Sequence, residues 1–149
     1  MSFAALAAAV VAMLALAAEP AKQPDSLILP KGFHAQVVAE GLGPIRHMAL
    51  RGHDIYVSTR HGRDQPSAGI VALRLAPDHT VLQKAAIAGV DQGTGIRIHK
   101  GYLYAASGTS IVRFQLDDQL VPGGKPEVIV DGLTATNHPI AFDGQGGLY

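Results

Sequence analysis

His138 stands immediately before Pro139 and the apolar run Ile140-Ala141-Phe142. A following proline holds the preceding residue in extended backbone geometry, so a side chain here has a restricted direction. A histidine of near-neutral pKa is a natural general base, able to take the proton of a hydroxyl such as that of a sugar or an aldehyde hydrate. Asp143 and Asp91 are the acidic candidates to orient it. On spacing alone, a structural or solvated histidine is the alternative reading. Three further stretches gather polar groups suited to small-molecule recognition: Arg46 with His47, Asp91 with Gln92, and Asn137 with His138. Arg60, His61, Arg63 and Asp64, in the run RHGRDQ, are a fourth group. Convergent polar side chains on one face make a ligand site, but the solvated loops of any surface protein have the same composition.

Other chemistries are excluded or weak. The chain has 149 residues, seven His and no Cys. It therefore has no disulfide, thiolate metal site, catalytic thiol or haem attached through cysteines. The spacings His47-x5-His53-x7-His61 match no standard zinc pattern, so no metal ligands are assigned. His53 and His99 are expected in turns away from the ligand loops, His79 in a solvated turn, and His34 on a surface strand. No Gly-x-Ser-x-Gly elbow occurs, and the glycines of Gly93-Thr94-Gly95 lead into a strand rather than a helix. With 12 basic and 12 acidic side chains, a net charge of zero and no basic cluster, nothing points to a nucleic-acid partner.

Internal repetition decides which elements must position these residues. VVAEGL…HMALRGHDIYVS, AAIAGV…GIRIHKGYLYAAS and VIVDGL…PIAFDGQGGLY align, with Gly41, Gly89 and Gly132 punctuating them and Tyr56, Tyr104 and Tyr149 closing them. A second phase agrees: GIVALRLA at 69–76 matches SIVRFQLD at 110–117. In both, apolar and polar residues alternate with the period of two that marks half-buried strands. The expected strands are 45–50, 54–60, 69–75 and 81–88, then 95–99, 102–107, 110–116 and 127–131. A third set opens at 139–143, and 33–39 forms an additional strand. Four strands in about 45 residues is the size of one propeller blade. The expected fold is all-β, a β-propeller of four-stranded blades. Closure takes about four to eight blades and this sequence supplies about two plus parts, so it reads as a truncated frame or fragment.

Residues 1–18 contain 17 apolar residues, and the first charge is Glu19. Without them the apolar share of the chain drops from 48% to about 42%. Such a run is expected to be a signal peptide or a membrane anchor, with Ala15-Leu16-Ala17 satisfying the small-x-small cleavage rule. No Lys or Arg precedes it. Residues 19–30 form a polar linker, and 31–149 the propeller portion. The expected location is the periplasm or the exterior, with membrane contact only through an uncleaved leader.

The run LPKGFHAQVVAEGLGPIRHMAL followed by IYVSTRHG resembles the opening of the sorbosone dehydrogenase family and of its soluble quinoprotein glucose dehydrogenase relatives. The matching residues include Pro30, Gly32, Phe33, Gly41, Leu42, Pro44, Arg46, Met48, Tyr56, Thr59, Arg60 and Gly62. NHPIAFDGQGGLY is similar to that family's His-containing loop and the strand after it. The resemblance spans residues 27–149. It implies a six-bladed propeller that oxidises a sugar or aldehyde with pyrroloquinoline quinone (PQQ) and calcium. It maps the catalytic base onto His138 and a pocket-lining glutamine onto Gln92. The family often has several residues between its histidine and the strand, whereas Pro139-Ile140 follows directly here. The cofactor's basic and calcium-binding segments would lie beyond Tyr149, so this portion alone is expected to be inactive. Two alternatives remain. One is a gluconolactonase-like metal-dependent lactonase, with Glu40 before Gly43-Pro44 as a loose match; the other is a non-catalytic propeller serving as a binding platform.

Overall fold

The computed structural model describes residues 27–60, 69–91, 93–134 and 139–149. The described chain is all-β and contains no helix. Sheet I is built from β1 (Ile45–Arg51), β2 (Asp54–Thr59), β3 (Gly69–Leu75) and β4 (Val81–Ile87). Sheet II is built from β5 (Ile96–His99), β6 (Tyr102–Ser107), β7 (Ser110–Gln115) and β8 (Glu127–Val130). Each is an open antiparallel meander in which every strand pairs with its sequence neighbour. The eight strands stand where the alternation put them, with ends differing by a residue or so. The repeat is also visible in the registers: Ala49 lies opposite Tyr56 in sheet I, and Arg97 opposite Tyr104 in sheet II. Gly41, Gly89 and Gly132 all take positive φ (68°, 83° and 73°), a conformation that is cheap only for glycine.

Alternation along β2 and β3 gives sheet I two apolar faces. The inner face presents Tyr56, Ile70 and Ala72, which pack against Leu103, Ala105, Val112 and Phe114 of sheet II in one cluster. Burying each large side chain of this interface stabilises the fold by about 1.5–3 kcal/mol. The outer face of sheet I, with Val57, Leu73 and Leu75, is covered by Val38, Ala39 and Leu42. The outer face of sheet II, with Tyr104, Ala106 and Ile111, is covered by Leu133, Ile140, Phe142 and Leu148. Polar groups close the far end of the inter-sheet contact. Arg74 donates to both carboxylate oxygens of buried Asp54 (2.7 and 2.8 Å) and to the Asp118 carbonyl (3.1 Å), while Arg51 donates to the Asp117 carbonyl. Hydrogen bonding to Asp54 holds the Arg74 guanidinium above its ordinary pKa.

Three expectations need correction. Residues 33–39 are not a strand. Val38 and Ala39 lie on the face of sheet I rather than along its edge, so the segment has no ladder of backbone hydrogen bonds to make it one. Residues 139–143 are not a strand either. They form one bridge, Phe142 opposite Leu148, closed by reciprocal hydrogen bonds between Ala141 and Tyr149 (2.9 Å each). His99 is the last residue of β5 rather than part of a turn. Its ring stacks on Phe142 with centroids 4.1 Å apart and planes at 4°.

Candidate functional site

Two local features shape the start of β1. Ile45 pairs with Thr59 and His47 with Ser58, so Arg46 is the unpaired residue of a bulge. Bulges bend a strand and re-aim a side chain, and they recur beside functional sites. Ser58 then fixes the neighbourhood. Its hydroxyl accepts from the His47 N–H (3.1 Å) and lies 3.0 Å from the Thr94 carbonyl, to which it donates. The start of β1 is thereby tied to the segment that leads into β5, and the two first strands lie side by side.

Gly93 makes that segment possible by close approach. A Cβ at this position would lie 2.0 Å from the Ala106 carbonyl oxygen, so only glycine can sit this near β6. The Ala106 N–H donates to the Gly95 carbonyl (2.9 Å), continuing the contact.

Between these elements lies an open cleft of about 460 Å3. Arg46, His47 and Arg97 line it with basic groups, and Met48, Ile96, Pro139 and Ile140 are among its apolar lining. Two guanidinium groups in one concavity set up a field that favours an anion, and a guanidinium fork matches a carboxylate in two-point geometry. The apolar wall suits a flat carbon skeleton.

The structure brings together part of what the sequence singled out. Arg46 and His47 line the cleft, as does Pro139, the residue bonded directly to His138. Arg60 stands at the same end of sheet I, its N–H donating to the Pro44 carbonyl (3.1 Å). The Asp91 N–H donates to Ser107 Oγ (2.8 Å). Asp143 belongs to its own turn: its carboxylate accepts from the N–H groups of Gln145 and Gly147 and from the Tyr149 hydroxyl (2.9, 2.7 and 3.0 Å). These bonds, that from Gly147 foremost, hold its pKa below the usual carboxylate range. Gln92, Asn137, His138, His61, Arg63 and Asp64 lie outside the described residues. His34, His53 and His79 are exposed, and Glu40 lies on the segment covering sheet I. Arg97 was not singled out by sequence. The available signal was alternation: Ile96 and Ile98 pack into the inter-sheet core, which puts Arg97 on the other side of β5.

Among the described residues, no group of three or more His, Asp or Glu side chains could hold a metal ion. No known protein family, curated protein or solved structure matches the chain.

Proposed function

We propose that the chain is the N-terminal part of an exported six-bladed β-propeller that oxidises a sugar or aldehyde with PQQ, and that the cleft is part of the cofactor and substrate pocket. The observation carrying this reading is the convergence of Arg46, His47, Arg97 and Pro139 on one cleft at the starts of the repeats' first strands. PQQ is a flat tricarboxylate, and two guanidinium groups beside an apolar wall fit a ligand of that chemistry. When bound, it supplies a quinone able to accept hydride. Arg46 and Arg97 hold carboxylates and orient the ring system. His138, bonded to a residue of the cleft wall, takes the hydroxyl proton of the substrate, and Gln92 contributes a polar contact to the ring. The described residues offer no acidic cluster for calcium. In this reading residues 1–18 direct export, and the remaining blades lie in sequence beyond Tyr149.

Equilibrium dialysis of the chain against PQQ tests the binding half of the proposal. Saturable binding is expected, weakened about tenfold or more by Arg46→Ala or Arg97→Ala, since a charged hydrogen bond contributes about 1.5–3 kcal/mol. Binding that ignores both substitutions, or no binding, rejects this cleft as the cofactor pocket. Lactone hydrolysis that depends on a divalent metal would favour the lactonase reading instead.

A further inference from the structure

On the basis that the cleft takes carboxylates, as proposed above, we infer that Ser58 is its positioning residue: the buried hydroxyl sets the spacing of Arg46 and Arg97, and so selects which pair of carboxylates the cleft accepts. The two guanidinium groups belong to different sheets. Arg46 is the bulged residue at the start of β1, and Arg97 is the second residue of β5. Among the described residues no ladder joins β1 to β5, so backbone pairing does not set the distance between them. Ser58 does. It is 5% exposed, and its Oγ accepts from the His47 N–H on one side (3.1 Å) and donates to the Thr94 carbonyl on the other (3.0 Å). His47 is bonded to Arg46, and Thr94 precedes Arg97 by three residues. Thr94 has little room to drift, because Gly93 beside it is packed against Ala106 and the Gly95 carbonyl accepts from the Ala106 N–H. One side-chain oxygen, carried on a paired strand, therefore fixes the main chain on both sides of the cleft.

The repeat separates this role from folding. Ser58 in Tyr56-Val57-Ser58 corresponds to Ala106 in Tyr104-Ala105-Ala106. The registers agree, with Ser58 opposite Ile70 and Ala106 opposite Ile111. Sheet II carries no hydroxyl at this position and forms the same four-stranded meander, so the unit does not need one. What sheet I has in addition is β5 lying beside β1, which brings Arg97 to the cleft that Arg46 lines. A guanidinium fork grips a carboxylate in fixed geometry. Holding two such forks at a set distance removes ordering cost from binding and makes affinity depend on the ligand's own carboxylate separation.

Isothermal titration of the full chain at low ionic strength tests this, with circular dichroism confirming that each variant is folded. The probes are isophthalate, terephthalate and a biphenyl dicarboxylate, whose carboxylates stand progressively further apart, and benzoate as the single-carboxylate reference. The wild type is expected to bind one dicarboxylate about tenfold or more tighter than the other probes. Arg46→Ala and Arg97→Ala should each abolish that preference. Ser58→Ala should cut it by about fivefold or more while leaving benzoate within about twofold, and Ser58→Thr, which keeps a hydroxyl, should restore it. Should Ser58→Ala fail to fold, Ser58→Cys, of nearly the same volume and with a weaker donor, serves the same comparison. A wild type that prefers no dicarboxylate overturns the inference, as does a preference that survives both arginine substitutions or the loss of the hydroxyl. An equal weakening of all probes by Ser58→Ala, or a loss that Ser58→Thr does not reverse, assigns Ser58 to packing and overturns it too. Selective dicarboxylate binding that depends on Ser58, in a chain that does not bind PQQ, supports the positioning role and rejects the cofactor alone.

Discussion

Gly93→Ala tests whether the cleft is positioned by the close approach of one loop to one strand. The added carbon would lie 2.0 Å from the Ala106 oxygen and 2.5 Å from the Ala106 carbonyl carbon. Non-bonded contacts of this kind settle at about 3.5 Å, so one side must retreat by about 1 Å or more. Ala106 cannot do so freely, because it is 2% exposed within β6 and pairs with Ile111 of β7. The loop moves instead, carrying the Thr94 carbonyl away from Ser58. Overpacking costs about 1–3 kcal/mol and the lost hydrogen bond about 0.5–1.5 kcal/mol, so the expected loss is about 2–4 kcal/mol. Small domains are held by only about 5–15 kcal/mol. Urea unfolding followed by circular dichroism should show a lower midpoint at unchanged slope. Gly124→Ala is the control: nothing lies within 4 Å of its added carbon, and the change should be neutral or stabilise by up to about 1 kcal/mol. If the two variants unfold within about 0.5 kcal/mol of each other, the close approach is not what holds the loop, and the account of the cleft fails.

Two further predictions concern the polar ties. Asp54→Asn removes the charge that receives two bonds from Arg74 inside the sheet contact, and thermal unfolding should fall by about 5 °C or more; a Tm within a degree of wild type would show that apolar packing alone aligns the sheets. Asp143 has a folded pKa below its ordinary value, so it contributes stability above the ordinary carboxylate pKa, and that contribution is lost as pH falls through the lowered one. Amide exchange at Ala141 and Tyr149 should therefore accelerate at the acid end before exchange in β6 and β7 does, and Asp143→Asn should remove the difference between acid and neutral pH.

The sheets were legible because their signals are local. Ile55-Tyr56-Val57 and Ile70-Val71-Ala72-Leu73 alternate between two faces that are both buried, and each strand pairs with its neighbour in the sequence. Residues 33–39 show similar alternation, yet a strand exists only where a ladder partner lies alongside, and alternation does not report one. The gripping of the Asp117–Asp118 turn by Arg51 and Arg74 joins residues 66 and 44 positions apart, beyond any spacing rule. The cleft was half visible. Arg46 and His47 open a strand recognisable by its repeat, whereas Arg97 reads as an ordinary strand residue until β5 is laid beside β1.

The neighbour-to-neighbour strand order of both sheets also bears on how the chain reaches its native state. Every ladder joins segments adjacent in sequence, and no connection within a meander exceeds about eleven residues, so each sheet forms with little entropy lost to long-range search. The two sheets then act as units in a row, coupled through their shared face. Stability in such a row is a sum of unit and nearest-neighbour terms. Sheet II has both faces covered, one by sheet I and the other by Leu133, Ile140, Phe142 and Leu148, so the contacts of both sheets meet in it.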